Sequence, residues 1–272
     1  MAVTVSDCIS YSLKSGAGMR EEEAHIMTTG IAGDRQFMLV DADNHFLNQK
    51  QLPALATHSL SSIAQVTPIR ITNDLITVTL YGENLHALRA HDETNAILSH
   101  IFKQAVKLVM FPLNEKRNLE SQFSQPGDTT CFADEFPILI ASQSSLDALA
   151  SHFKSAVAMD RFRPNIVLEG LPPFAEDTLK RIKIGNQVEL EIVKNCARCT
   201  ITTIDQNTGE RIGAEPLATL NKLRKGENSV YFGAYAIPRK TGTIKIGDTV
   251  EILEKRPICP DMAKTKINGL QS

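Results

Sequence analysis

The sequence predicts a mainly β protein with some α, folded as barrels or curled sheets in two parts. Three observations carry that reading. Short apolar and β-branched runs recur along the chain, bounded by Gly, Pro and Asn-Asp punctuation. Helical periodicity appears only in brief segments. The pattern Ile-Lys-Ile-Gly followed by alternating strand residues occurs at 182–189 and again at 244–251, as one hairpin type reused in a barrel. Strands do not alternate with long helical patterns, which sets a doubly wound α/β fold aside.

The elements follow in order. Phe37-Met38-Leu39-Val40-Asp41 is a short apolar strand. Leu75 to Leu80 is β-branched and bounded by Asn73-Asp74 and Gly82, and Pro53 and Pro68 mark loops. A helix is expected after Asp92, with Ile97, Leu98, Ile101, Phe102 and Ala105 on one face, then a strand over 106–111. Residues 113–130 are the most polar stretch and contain Pro126-Gly127-Asp128, so they read as a linker or long loop. Pro137 to Ala141 is a core strand, and Ser144-Ser145-Leu146-Asp147 has capping-box spacing, opening a helix to about 153. Glu215 to Arg224 is a short helix with Pro216 in its first turn. The expected organisation is an N-terminal barrel-like domain over 1–112, a linker over 113–130, a second domain over 131–254 and a weakly structured tail over 255–272.

Composition excludes several function classes. The chain has 272 residues, enough to bury a core without disulfides. Lys+Arg is 29 against Asp+Glu 31, a balance that recruits neither nucleic acid nor an anionic membrane. The five cysteines, at 8, 131, 196, 199 and 259, are odd in number and thinly spread, which fits a reducing cytoplasmic setting. The N-terminus lacks a signal-peptide pattern, and no apolar run of about 18 residues is present, so no membrane span is expected.

The segment Lys-Asn-Cys-Ala-Arg-Cys-Thr-Ile-Thr-Thr-Ile-Asp, residues 194–205, sets Cys196 and Cys199 three apart with Arg198 between them. Structural zinc needs four ligands, and no second pair or downstream histidines complete the set. A thioredoxin-like dithiol needs a helix N-terminus, whereas Thr200 to Asp205 reads as a strand. Two readings stay open: a thiolate offered to a soft metal beside a cation, or two buried core cysteines. Upstream, Asp-Arg-Phe-Arg-Pro-Asn at 160–165 places Arg161 and Arg163 on one side of an extended segment, with Pro164 enforcing extension. Lys14-Ser15-Gly16 and Gly33-Asp34-Arg35 add basic residues in tight loops. Arginine forks suit phosphate.

These motifs resemble the MOSC family, in the branch with an N-terminal β-barrel domain that includes the animal mitochondrial amidoxime-reducing components. The similar segments are 12–18, 30–41, 49–53, 136–146, 161–170, 175–185, 195–209, 231–235 and 242–250, nearly the whole chain in order. Arg-Phe-Arg-Pro-Asn followed some thirty residues later by Cys-x-Arg-Cys-x-x-Thr-Thr is the specific part.

The resemblance implies a molybdenum cofactor, a pterin dithiolene with a terminal phosphate, and one protein cysteine as metal ligand. By motif position that ligand is Cys199, with Cys196 as a neighbour. Lys14, Ser15, Arg35, Arg163, Asn165 and Arg198 match cofactor contacts, and Asp134 and Ser142 fall in a segment that lines the site. Arg161 is expected to face the open side and orient substrate. The implied reaction is two-electron reduction of a small N-hydroxylated or N-oxide compound. The alternative is a molybdenum-cofactor or sulfur carrier without turnover of its own. After Cys199 only Cys259 remains, so no iron–sulfur cluster of the bacterial relatives' type is expected in this chain, and electrons are expected from a separate ferredoxin or flavoprotein. Lys50 and Asn195 depart from the family pattern.

Overall fold

Residues 2–119, 122–153, 157–226 and 228–257 are described by a computed structural model. Most of the expected tail, and Cys259 with it, lies outside the described residues. The first strand, β1 (Thr4–Ser10), buries Val5, then Cys8 and Ser10, its phase shifting at a bulge between Val5 and Asp7. Short strands β2 (Met19–Arg20), β3 (Glu23–Met27) and β4 (Gly30–Ile31) precede β5 (Phe37–Val40). A 3-10 turn at Pro53–Thr57 leads to α1 (Leu60–Val66), where Ser59 and Ser62 form a reciprocal cap. The hairpin β6 (Ile71–Leu80) and β7 (Glu83–Ala90), helix α2 (Asp92–Phe102) and β8 (Lys107–Met110) follow.

Two short strands, β9 (Arg117–Asn118) and β10 (Thr129–Thr130), pair across the polar stretch. The second half runs β11 (Ile138–Ser142), α3 (Gln143–Ala150), a 3-10 turn at Met159–Phe162, β12 (Ile166–Glu169) and a 3-10 turn at Ala175–Thr178. It continues through β13 (Leu179–Ile184), β14 (Val188–Ala197), a 3-10 turn at Thr200–Thr203, α4 (Leu217–Leu223), β15 (Tyr231–Lys240), β16 (Gly242–Lys245) and β17 (Val250–Lys255). No helix among the described residues is long and apolar enough to cross a membrane.

The main sheet has eight strands in the order β17-β13-β14-β15-β11-β12-β1-β2. Its core is aliphatic, with Val5, Ile138, Ile140, Ile166, Leu168, Ile182 and Leu190 at its centre. The sheet curls without closing into a continuous barrel: β1 meets the start of β17 through the single bridge Thr4–Thr249. A four-stranded sheet, β5-β8-β7-β6, is buried on both faces near β5, with Leu39 in one cluster and Met38 and Val40 in another. That double burial is why Phe37 to Val40 is apolar throughout rather than alternating. The halves interlock, because β1 pairs with β12 and β3 pairs with β16.

Three expectations are corrected. The Ile-Lys-Ile-Gly segment at 182–189 is the β13–β14 hairpin, but its echo at 244–251 is not a hairpin. There the Asp248 amide closes a turn onto the Lys245 carbonyl, but the strands part, β16 joining β3 and β17 joining β13, while the amides of Ile246 and Gly247 bond to Glu22 and Val5. Helix α3 is capped by Ser142, not Ser144, because the Ser142 hydroxyl accepts from the Ser145 amide, and the helix ends at Ala150. Thr200 to Thr203 forms a 3-10 turn, since its threonine hydroxyls bond back to carbonyls three residues earlier.

Candidate functional site

Strand β14 delivers the cysteine pair to the edge of a cavity that both halves line. The two thiols end in different environments. Cys196 is buried, and its sulfur accepts from Arg198 at 2.8 Å and from the Tyr235 hydroxyl. Burial pushes the Cys196 thiol up, against the pull of Arg198 and Tyr235. Cys199 sits just before the 3-10 turn at Thr200–Thr203, and it is exposed.

Cations surround this thiol. Arg198 donates to the Phe162 carbonyl at 2.6 Å as well as to Cys196, and its Nε is buried with no partner. Arg163 adopts a left-handed backbone (φ 56°) after the 3-10 turn at Met159–Phe162, and donates to the Gly16 carbonyl at 2.6 Å. Burial pulls the Arg163 guanidinium down to about 10. Arg163 and Arg35 both lie against the Tyr11 ring, at 4.3 and 4.5 Å from its centroid. Arg35 donates to Asp34 at 2.5 Å and to Asn165 Oδ1 at 2.7 Å. Asn165 spends its amide on Ile9 and Asp34 and accepts from the Leu139 amide, so it braces Arg35, β1 and β11 together.

Lys14 is 3% exposed and ion-paired to Asp134. Burial lowers its pKa, and Asp134 only partly offsets that. Asp134 is half-exposed; the partial desolvation of its carboxylate against the wall would raise it, but Lys14, Arg35 and the Tyr81 hydroxyl outweigh that and hold it at about 2. Ser15, also with positive φ (63°), is buried in the same wall, and its carbonyl accepts from Gln49 at 2.8 Å. Gly16 is obligatory here, because a Cβ would meet the His58 carbonyl at 2.7 Å.

Lys14, Ser15, Arg35, Asp134, Arg163, Asn165, Arg198 and Cys199 therefore line one cavity. Two expected residues do not. Arg161 is buried and turned away, donating Nε to the Thr202 carbonyl and Nη2 to the Glu215 carbonyl, each at 2.8 Å. The 3-10 turn and the left-handed Arg163 break the extended alternation that put both arginines on one side. Ser142 is spent inside the fold, capping α3 and donating to Glu176 at 3.1 Å. Sequence reasoning missed Tyr11, Tyr235 and Gln206 as wall residues or braces. Tyr235 and Gln206 lay within noted motifs, but no pattern marked their side chains.

Four cations, Lys14, Arg35, Arg163 and Arg198, face two carboxylates, Asp34 and Asp134, beside one exposed thiol. An excess of positive charge with an unspent buried donor suits an anionic group, and a thiolate suits a soft metal.

The profile of the MOSC domain matches residues 127–251, and that of the MOSC N-terminal beta barrel domain matches residues 2–105. Mitochondrial amidoxime-reducing component 1 of Homo sapiens is 31% identical over 280 residues, covering 92% of this chain and 83% of that protein. Mitochondrial amidoxime reducing component 2 of Bos taurus is 29% identical, covering 91% and 82%. Among solved structures, the YuaD protein from Bacillus subtilis aligns over 92% of this chain and 94% of its own, with a TM-score of 0.42 and 10% identity.

Proposed function

The chain belongs to the MOSC family, in the branch that carries an N-terminal MOSC β-barrel domain, and on that premise we propose that it binds the molybdenum cofactor and reduces N-hydroxylated compounds. The observation that carries the reading is the pairing of exposed Cys199 with a buried cation cluster whose Arg198 Nε has no partner. That donor set fits a pterin dithiolene with a phosphate tail. Cys199 would hold the metal, and Lys14, Arg35 and Arg163 would take the anionic part. Bound there, the cofactor supplies two-electron redox chemistry.

The chain's own residues do the positioning. Arg198 sets its positive charge beside Cys199 while its hydrogen bonds fix the Cys196 and Phe162 segments. Tyr11 holds Arg35 and Arg163 stacked and spaced, which limits the entropy lost when they engage an anion. The overall reaction takes two electrons and two protons, converts the N–O group to N–H, and releases water. The electrons come from a separate donor, a ferredoxin or flavoprotein.

The test is anaerobic purification from a cofactor-competent host, with molybdenum and pterin quantified and benzamidoxime reduction assayed with a reduced dye. Stoichiometric cofactor and turnover are expected. Bound cofactor with no turnover, even with strong artificial donors, would replace the reductase reading with a cofactor carrier.

A further inference from the structure

The turn between β6 and β7 carries a residue that the backbone does not favour. Leu80 pairs with Glu83, so the hairpin closes through Tyr81 and Gly82 alone. Both have positive φ, 52° and 89°. That is the conformation of a type I′ turn, whose first position favours Asn, Asp or Gly. A bulky side chain in the left-handed region is strained. Core packing does not account for it, because Tyr81 is 61% exposed. Strain of this kind concentrates at working sites.

The surroundings of Tyr81 supply a reason. Its hydroxyl donates to Asp134 Oδ1 at 3.1 Å, the carboxylate that also pairs with Lys14. Its ring meets Phe46 edge-on, with centroids 5.5 Å apart, and Lys14 Nζ lies 5.4 Å from the ring centroid. Although the ring is open, local desolvation of the hydroxyl end against the cavity wall and the Asp134 charge raise the phenol above its usual value. The hairpin tip therefore sets an exposed aromatic ring against Lys14 and Asp134, two residues of the cavity wall, anchored at its hydroxyl.

We propose that Tyr81 is a specificity-determining residue, and that its exposed ring is the platform for planar, aryl-substituted N-hydroxylated substrates while its hydroxyl holds Asp134 in place. Aromatic faces gain from offset stacking where small alkyl groups do not. The inference rests on the reductase reading and adds a substrate class to it.

The experiment uses the cofactor-loaded full chain and Tyr81→Phe, Tyr81→Ala and Tyr81→Asn. Calorimetric titration of the oxidised protein compares benzamidoxime with acetamidoxime, so binding is read without turnover. Tyr81→Phe keeps the ring and is expected to hold benzamidoxime within about 2-fold of the parent. Tyr81→Ala and Tyr81→Asn are expected to lose about 5-fold for benzamidoxime alone. Thermal denaturation adds a second readout: Tyr81→Asn should melt higher than the parent, because asparagine suits the turn. Equal losses for both ligands, an unchanged aryl preference, or a lower melting temperature in Tyr81→Asn would each overturn the proposal. Aryl preference that depends on Tyr81 in a chain that reduces neither compound would sink the reductase reading and leave the platform standing. Turnover by a parent with no aryl preference would do the reverse.

Discussion

Arg198 donates to the sulfur of Cys196 at 2.8 Å, so the buried thiol of the pair is already engaged while Cys199 stays exposed. A three-residue spacing in sequence thus becomes a division of labour. One cysteine ties β14 to its surroundings, and the other is left to react or to ligate. The Tyr235 hydroxyl reinforces the tie on Cys196.

Cys199→Ala is expected to lose essentially all bound molybdenum and all dye-linked turnover. Cys196→Ala is expected to keep most of the metal and to lose about 1 kcal/mol of stability through the broken Arg198 contact. Metal analysis and denaturant unfolding of the two variants separate the roles. Full metal in Cys199→Ala would remove the ligand assignment.

Arg161 ties the 3-10 turn at Met159–Phe162 to the carbonyls of Thr202 and Glu215. Arg161→Ala is expected to lower stability by about 2–3 kcal/mol, with two buried charge-assisted bonds gone. Arg161→Lys should recover only part of that, since one ammonium cannot reproduce the fork. Melting temperatures give the answer, and KM in the folded fraction should change little.

Glu176 is buried, and both Ser142 and Ser145 donate to its Oε2. Burial, aided by the Asp177 charge, pushes its carboxyl up to about 7. A raised acid keeps its proton in the folded state after the unfolded chain has released it. Stability is therefore fully present below about 4.5, the unfolded value, and falls as pH rises through about 7. Glu176→Gln should melt higher than the parent at pH 8 and close to it at pH 4. Parallel melting curves across that range would refute the account.

Asp134 works in the opposite sense. Held at about 2, its carboxylate stabilises the fold above the ordinary carboxylate range, and the benefit is lost as pH falls through about 2. Its side chain is 56% exposed, so screening reduces the effect to roughly 1 kcal/mol. Asp134→Asn should flatten the acid limb of the stability profile by about that amount, read by urea unfolding between pH 2 and 5.

Local pattern revealed much of the scaffold. Phe37 to Val40, Leu75 to Leu80, Ile138 to Ala141 and the helix after Asp92 announced themselves by apolar runs and by their boundaries. Lys14, Arg35, Arg163, Arg198 and Cys199 were identified through linked motifs, and they do converge on one cavity. What stayed hidden depended on tertiary context. Thr200 to Thr203 has strand-forming residues but folds as a 3-10 turn, since β propensity expresses packing more than backbone preference. Arg161 and Arg163 part company because Arg163 turns left-handed. Tyr81 gave no signal, because its meaning lies in Asp134, a residue far along the chain.

The pairing of β1 with β12 and of β3 with β16 sets a timetable for synthesis. Lys14 and Arg35 leave the ribosome early, and β1, β3 and β5 find local partners in β2, β4 and β8, yet β1 also waits for β12 (Ile166–Glu169) and β3 for β16 (Gly242–Lys245). Such long-range pairings form slowly. The cavity wall runs from Lys14 to Tyr235, so the cavity is complete only after residues of both halves have been made and paired.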